Sequence, residues 1–565
     1  MSLLGALNTG QSALAVSQAA LQVTGNNIAN SGNANYAREV ANTTPSLDQQ
    51  ISPGIFVGTG VDLTSVQRQI DQSLTDRLNA SISDNEAANT TQTWSGQVEG
   101  IFNSLGTNSL QAQVSSFLQN WSGLANAPGN AAQRRIVVQD GQSLAQQFNT
   151  YSNQLGALQS SAGDQLTGLA KSATQLAQQV AELNAQIPTS RSGPAGINNG
   201  LLDQRDAALK QLSTLVNVKS VDQGNGTINV YIGSEPLVLG TVNRGLKVQQ
   251  SGINGQPSFK LLFAADNGNV SATSGQLGAV LNAQTQITAV LAQVNNLAAG
   301  VIYGLNVLHS SGQGLGGFTS VTATNQVLDS TVALDSTAAG LKFPPVNGSF
   351  VVHVKNAQSG LSTSTLVQVN LTGQPSDTTL NSLTSSLNAI PNVTAIIQGG
   401  QLQIASTNPN EQITFSQDSS HVLAGLGINT FFQGTDASSM AMNPIVVQKP
   451  GFVAAAQNGD TGDNQTALAI ANLATVGQPP LGGGSFNSAY RTMIDAIATT
   501  SSQAKNDASA TLDIRNTLTA QQAATSGVSL DEETVNLMKQ QLAYQGAARV
   551  ISTIATLMQT LLAIM

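Results

Sequence analysis

The chain has 565 residues, room for about four domains at roughly 150 residues each, with 9% charged residues, 4% aromatics and a formal net charge of −9. About 25% charged is usual in soluble domains, so solubility here rests on Asn, Gln, Ser and Thr, whose neutral surfaces repel one another weakly. With 21 Lys+Arg and no basic cluster beyond Arg134-Arg135, composition excludes nucleic acid as a partner; with no cysteine it excludes disulfide scaffolds, Cys-based zinc sites and thiol catalysis.

The N-terminus spaces Leu7, Leu14, Leu21 and Ile28 by seven residues, with Gln11, Gln18 and Gly25 between them. Such a row drifts by only about 20° per heptad, so it predicts a helix with one thin seam, too little to be stable alone. Polar helical patterns follow over 66–104, 110–124 and 131–187, with Pro128 and Pro188 at or near their breaks. Residues 201–206 open another helix, where Asp203 and Asp206 would favour the N-terminal dipole. Short β-branched runs around a Gly-rich turn predict strands over 218–263, and 277–309 returns to helix.

Between 319 and 447 the pattern is mixed. Strands are predicted at 350–354, 366–371, 394–398, 402–405 and 412–415, with a helix at 380–390, as an α+β insertion in a helical scaffold. Helix resumes at 465–474 and 490–525. Ser529 to Glu532 then fits a capping box, opening a helix of about 55 Å at 1.5 Å per residue. Its apolar row is Leu537, Tyr544, Ala547, Ile551, Ile554, Met558, Leu561 and Met565. The uncharged stretch 550–565 falls short of the ~20 residues of a spanning helix and carries five Ser, Thr and Gln residues, so no membrane insertion is expected. Arg38 is the first basic residue, which leaves no positive region for a cleaved secretion signal.

The fold class is therefore multidomain and mainly α, with long antiparallel helices, a terminal coiled coil and inserted β and α+β domains. Residues 1–45 and 520–565 are the terminal helices; 46–217, 275–312 and 455–519 form a helical rod; 218–274 is β-rich; 313–454 is the outer insertion.

Catalytic chemistry finds no footing. His309, His353 and His421 lie far apart in different elements, and no HExxH, GxSxG or GxxxxGK occurs. Gly312 to Gly317 follows a helix, the reverse of a phosphate cradle, and is read as a flexible turn. Asp460 to Asn464 has Ala471 where a calcium loop needs a bidentate Glu, so it is read as a turn capped by side chains. No catalytic, cofactor-binding or metal-binding residue is expected.

Gly25-Asn26-Asn27-Ile28-Ala29-Asn30, followed by Tyr36-Ala37-Arg38, resembles the N-terminal signature of bacterial flagellar rod, hook and hook-associated proteins. Where that family usually has Pro-Gly before the Tyr, this chain has Ala34-Asn35. Narrower segments resemble its hook-associated members: Leu201-Leu202-Asp203-Gln204-Arg205-Asp206, Val230 to Gly233, Asn306 with His309, Gly462-Asp463-Asn464, and Ser526 to Glu533 with Tyr544-Gln545.

The resemblance implies a structural subunit, not an enzyme, exported unfolded by the flagellar type III apparatus and assembled outside the cell at the hook–filament junction. Its implied partners are copies of itself, the hook protein, a second hook-associated junction protein and a cytoplasmic export chaperone on the C-terminal helix. The expected assembly interface is Leu7, Leu14, Leu21, Asn27, Ile28, Asn30, Leu530, Leu537, Tyr544, Ile551, Ile554, Met558 and Leu561, both ends becoming ordered only among neighbouring subunits. Two other readings stay open: another axial protein such as hook protein or flagellin, and a secreted adhesin-like protein with a helical stalk.

Overall fold

The computed structural model describes residues 3–102, 109–190, 198–253, 256–460 and 462–564. Three expectations end on residues outside this set: Ser104 at the close of a helical pattern, Thr461 in a turn, and Met565 in the tail row.

In chain order, α1 (Leu3–Ala29) leads into the strands β1 (Glu39–Pro45), β2 (Gln49–Ser52), β3 (Ile55–Val57) and β4 (Val61–Arg68). The helices α2 (Gln72–Phe102), α3 (Leu110–Asn126), α4 (Ala131–Thr189) and α5 (Asn199–Leu215) follow. Then come β5 (Val218–Asp222), β6 (Ile228–Ile232), β7 (Glu235–Leu239), β8 (Val242–Asn243), β9 (Leu246–Ile253), β10 (Gln256–Phe263) and α6 (Gly275–Ser310). The mixed region holds β11 (Ser320–Thr322), β12 (Gly348–Asn356), β13 (Ser362–Val369), α7 (Leu380–Asn388), β14 (Val393–Gln398), β15 (Gln401–Ser406), β16 (Glu411–Ser416) and α8 (Val422–Leu426). After two short strands come α9 (Pro444–Gln448), α10 (Gln465–Ala471), α11 (Phe486–Ser526) and α12 (Leu530–Ile564). The fold is multidomain and mainly α, with inserted sheets.

The chain divides into two compact units, one of residues 1–95, 160–284 and 502–565, the other of 96–159 and 285–501. The boundary falls inside α2, α4, α6 and α11.

In the first unit α1 pairs with α12, and beside α1 runs a ribbon in which β1 and β4 pair antiparallel, Glu39 opposite Arg68 and Pro45 opposite Val61. The sequence reading begins a helix at Val66; the helix begins at Gln72, because residues 61–68 pair as a strand against β1. Two buried side chains then fix the sheet β5–β8 to the helices. Asn184 of α4 donates to the carbonyls of Ile228 and Gly240, both at 2.7 Å, and accepts from the Ile228 N–H. Arg205 of α5 donates to the Gly226 carbonyl at 2.8 Å. Gly163 of α4 leaves room for the Phe259 ring of β10, which would collide with any side chain there. Pro188 lies in the last turn of α4, one residue before the helix ends.

In the second unit two three-stranded sheets, ordered β13-β12-β16 and β11-β15-β14, share one apolar core with α7. Phe350, Val352 and Val354 of β12 alternate inward with Ile413 and Phe415 of β16, Ile404 of β15 and Leu380, Leu383 and Leu387 of α7. This is the period-two pattern of a half-buried strand. Thr379 opens α7 with a capping box on Ser382.

The Gly312–Gly317 segment differs from its reading as a flexible turn. The Gln313 N–H donates to Ala456 O and the Leu315 N–H to Gly451 O, each at 2.7 Å, so its glycines permit close backbone pairing. Asp463 does cap its turn, accepting the N–H groups of Gln457, Asn458 and Gln465.

Candidate functional site at the paired termini

Helices α1 and α12 run antiparallel in the first unit. From Asn27 back to Gly10 is 17 residues and from Glu533 on to Ile551 is 18, and both pairs of positions meet. The two helices therefore keep step over about 26 Å.

The line of α1 that is fully buried is Gly10, Ser17, Ala20, Thr24 and Asn27. Leu7, Leu14, Leu21 and Ile28 flank it half-buried. Small side chains occupy the line because the backbones approach closely: a Cβ on Gly10 would lie 2.9 Å from Ile551 Cγ1. On α12 the fully buried residues are Glu533, Ala547 and Ile554. Leu537, Ile551 and Met558 are half-buried, whereas Leu530, Tyr544 and Leu561 are exposed.

At one end of this pair sits a polar cluster. Asn27, 1% exposed, uses its whole hydrogen-bonding capacity. Its Oδ1 accepts from Tyr36 O–H at 2.8 Å and the Glu39 N–H at 3.0 Å; its Nδ2 donates to Glu39 O at 2.9 Å and Glu533 Oε2 at 3.0 Å. Glu533, 2% exposed, also accepts from Arg38 Nε at 2.9 Å and Asn536 Nδ2 at 3.3 Å. A buried carboxylate is costly unless paired and fully hydrogen-bonded, and this one is both. Burial, reinforced by the carboxylates of Glu39, Asp203 and Glu533, raises the Tyr36 pKa, which keeps the phenol a donor. Asn30 closes α1 by donating to Asn26 O and Oδ1, both at 3.0 Å.

The capping box predicted at Ser529 forms on one side only: its hydroxyl accepts from the Glu532 N–H at 3.5 Å. The Glu532 carboxylate turns instead to Arg38, 3.3 Å away, because a guanidinium outbids a backbone N–H for it.

The cluster continues into α5. Arg68, at the end of β4, donates to Asp203 and Asp206, each at 2.7 Å. These carboxylates lie beyond the first turn of α5, so they act as an ion-pair clamp and not, as read from sequence, on the helix dipole. Burial raises the Asp203 pKa despite Arg68. Consecutive residues of one short segment thus reach three elements: Tyr36 bonds Asn27 of α1, the Ala37 N–H bonds Asp203 of α5, and Arg38 bonds Glu533 of α12. The Arg38 N–H also donates to Ser526 O at the end of α11, at 3.0 Å.

Heptad counting missed Tyr36, Arg38, Arg68 and Glu533 as partners. The available signal was Asn27 itself, a polar residue in step with Ala20 and Thr24 on a helix face.

A second polar anchor lies in the other unit. Asn306 of α6 accepts the N–H groups of Phe431 and Phe432 and donates to Phe432 O. His309, fully buried, bonds Asn429 O through Nδ1 at 2.8 Å and accepts the Ala454 N–H at Nε2, 3.0 Å away. A carbonyl can only accept and an N–H only donate, so the imidazole is neutral with its proton on Nδ1. Burial lowers its pKa to about 4. His353 bridges the hydroxyls of Ser364 and Ser416, and His421 meets the Tyr303 hydroxyl. Among the described residues, no three of His, Cys, Asp and Glu gather as metal ligands would.

The profile of the family described as flagellar hook-associated protein FlgK helical domain matches residues 95–322, and that of the flagellar basal body rod FlgEFG protein C-terminal region matches 521–564. The flagellar hook-associated protein 1 of Escherichia coli K12 is 24% identical, the alignment covering 97% of each chain. That of Salmonella typhimurium LT2 is 25% identical over 98% of this chain and 99% of its own. The structure of the flagellar hook junction protein FlgK from Burkholderia pseudomallei superposes with a TM-score of 0.50 at 17% identity, covering 80% of this chain and all of that one, a likeness of fold. In motifs, fold and nearly end-to-end alignment alike, this chain is similar to the flagellar hook-associated protein 1 relatives.

Proposed function

We propose that the chain is a non-catalytic structural subunit of the bacterial flagellum that forms the junction between hook and filament, polymerising through α1 and α12. The observation that carries this reading is the outer face of α12. Val550, Leu557 and Ile564, seven residues apart, stay exposed with Met538, Leu542, Leu561 and Leu562. Windows in Gly275–Ser310 and in Phe486–Ile564 are long and apolar enough by composition to cross a membrane; the first is 61% buried and the second only 11%. An apolar surface of that extent needs a cover, and in this reading neighbouring axial subunits supply it, not a lipid bilayer.

Copies of itself, the hook protein and a second hook-associated junction protein are the partners after export through the type III apparatus. A cytoplasmic chaperone would shield α12 before it. The terminal helices gain full order only in the polymer. Deleting the gene should leave hooks in place while filament subunits are shed into the medium; filaments that stay attached would overturn the reading. Complementation by Glu533→Ala should fail to restore attachment, since it leaves the buried Asn27 Nδ2 one acceptor short and removes one of the two carboxylates on Arg38.

A further inference from the structure

The first unit carries a second unpartnered apolar feature, the β2–β3 hairpin. All of β2 is exposed, and Leu47 (92%), Ile51, Ile55 and Phe56 (61%) present a contiguous apolar tip. Residues 46–60 hold a single charge, Asp48; residues 550–564 hold none, and Arg549 immediately precedes them. Neither Asp48 nor Arg549 takes part in an ion pair among the described residues. The hairpin returns to α1 where the Val61 N–H donates to Ser12 Oγ, and α12 meets α1 at Gly10 through Val550 and Ile551. Both features thus flank the same turns of α1, yet both remain exposed within one copy.

From this matched pair of patches, each with one unpaired charge of opposite sign, we infer that the hairpin of one copy docks on the outer face of α12 of a second copy. Ile51, Ile55 and Phe56 cover Leu557, Leu561 and Ile564, and Asp48 meets Arg549. Apolar area supplies the attraction and the charge pair sets the register. The inference rests on the reading that the chain polymerises.

The chain has no cysteine, which makes the test clean. Cells co-express two differently tagged full-length copies, one Phe56→Cys and the other Leu557→Cys, and their flagella are isolated and oxidised. The expected result is a disulfide joining the two tags, several-fold above the homodisulfides given by either variant alone. Asp48→Arg should cut that yield several-fold, and Arg549→Asp on the partner copy should restore it. Flagella that contain both copies but give no mixed disulfide, or only Leu557→Cys homodisulfides, overturn the docking and leave polymerisation standing. Absence of the unsubstituted chain from flagella overturns both.

Discussion

The terminal pair and the α+β body hold together by opposite means. In the body, Phe350, Val352, Leu334, Ile404, Ile413 and Phe415 are sealed inside one core, and strands, sheets and α7 all contribute to it. In the terminal pair the buried line of α1 is made of Gly, Ser, Ala, Thr and Asn, the best-connected residues are Asn27 and Glu533, and Met538, Leu542, Leu557, Leu561 and Leu562 of α12 stay exposed. A region that must stand alone puts its hydrophobic area inside. Under the proposed polymerisation, the terminal pair keeps such area for neighbouring subunits and uses a polar lock to hold its two helices in register.

The sharpest way to break the contrast is Phe415→Ala. Truncating a fully buried Phe costs about 3–5 kcal/mol. Chemical denaturation should therefore move the transition of the α+β body to much lower denaturant. In isolated flagella, hydrogen-exchange protection along residues 10–27 should stay unchanged, and its loss there would mean that the two regions share one cooperative core.

His309 gives the next largest effect. Its pKa in the folded chain is about 4, below the 6.5 of an exposed imidazole, so the unfolded chain binds the proton more readily. Stability is fully present above pH 6.5 and declines as pH falls from 6.5 towards 4, by on the order of 3 kcal/mol. His309→Gln should remove this part of the acid sensitivity. Melting temperatures of both proteins between pH 7 and pH 4 check it; parallel curves would show that the imidazole is not held neutral.

The same contrast decides what could be read in advance. Every strand predicted between 350 and 415 has a counterpart, because period-two alternation reports a core that the local sequence must fill. The terminal seam was harder to see. A leucine heptad draws the eye, but close helix approach selects Gly10, Ser17 and Ala20, which carry little hydrophobic signal. The β1–β4 ribbon was hidden too, since neither strand alternates regularly between buried and exposed residues and only the pairing reveals it. The clamp of Arg68 on Asp203 and Asp206 joins positions about 135 residues apart, a separation that no local pattern encodes.

The smallest effect on stability should come from Leu561→Asp, and it bears most on function. Leu561 is half exposed on the outer face, so folding loses little, within about 0.5 kcal/mol as for ordinary surface changes. Its neighbour in the row, Ile551, packs against Gly10, and a charge there would damage the pair itself. Purified Leu561→Asp should thus melt like the parent chain while filament attachment in complemented cells falls sharply. If attachment is intact, the outward leucines serve no partner, and the terminal pair has no reason to differ from the body. If melting falls as far as in Phe415→Ala, the outer face is already covered within one copy. Stability retained with attachment lost is the combination that a surface reserved for neighbours requires.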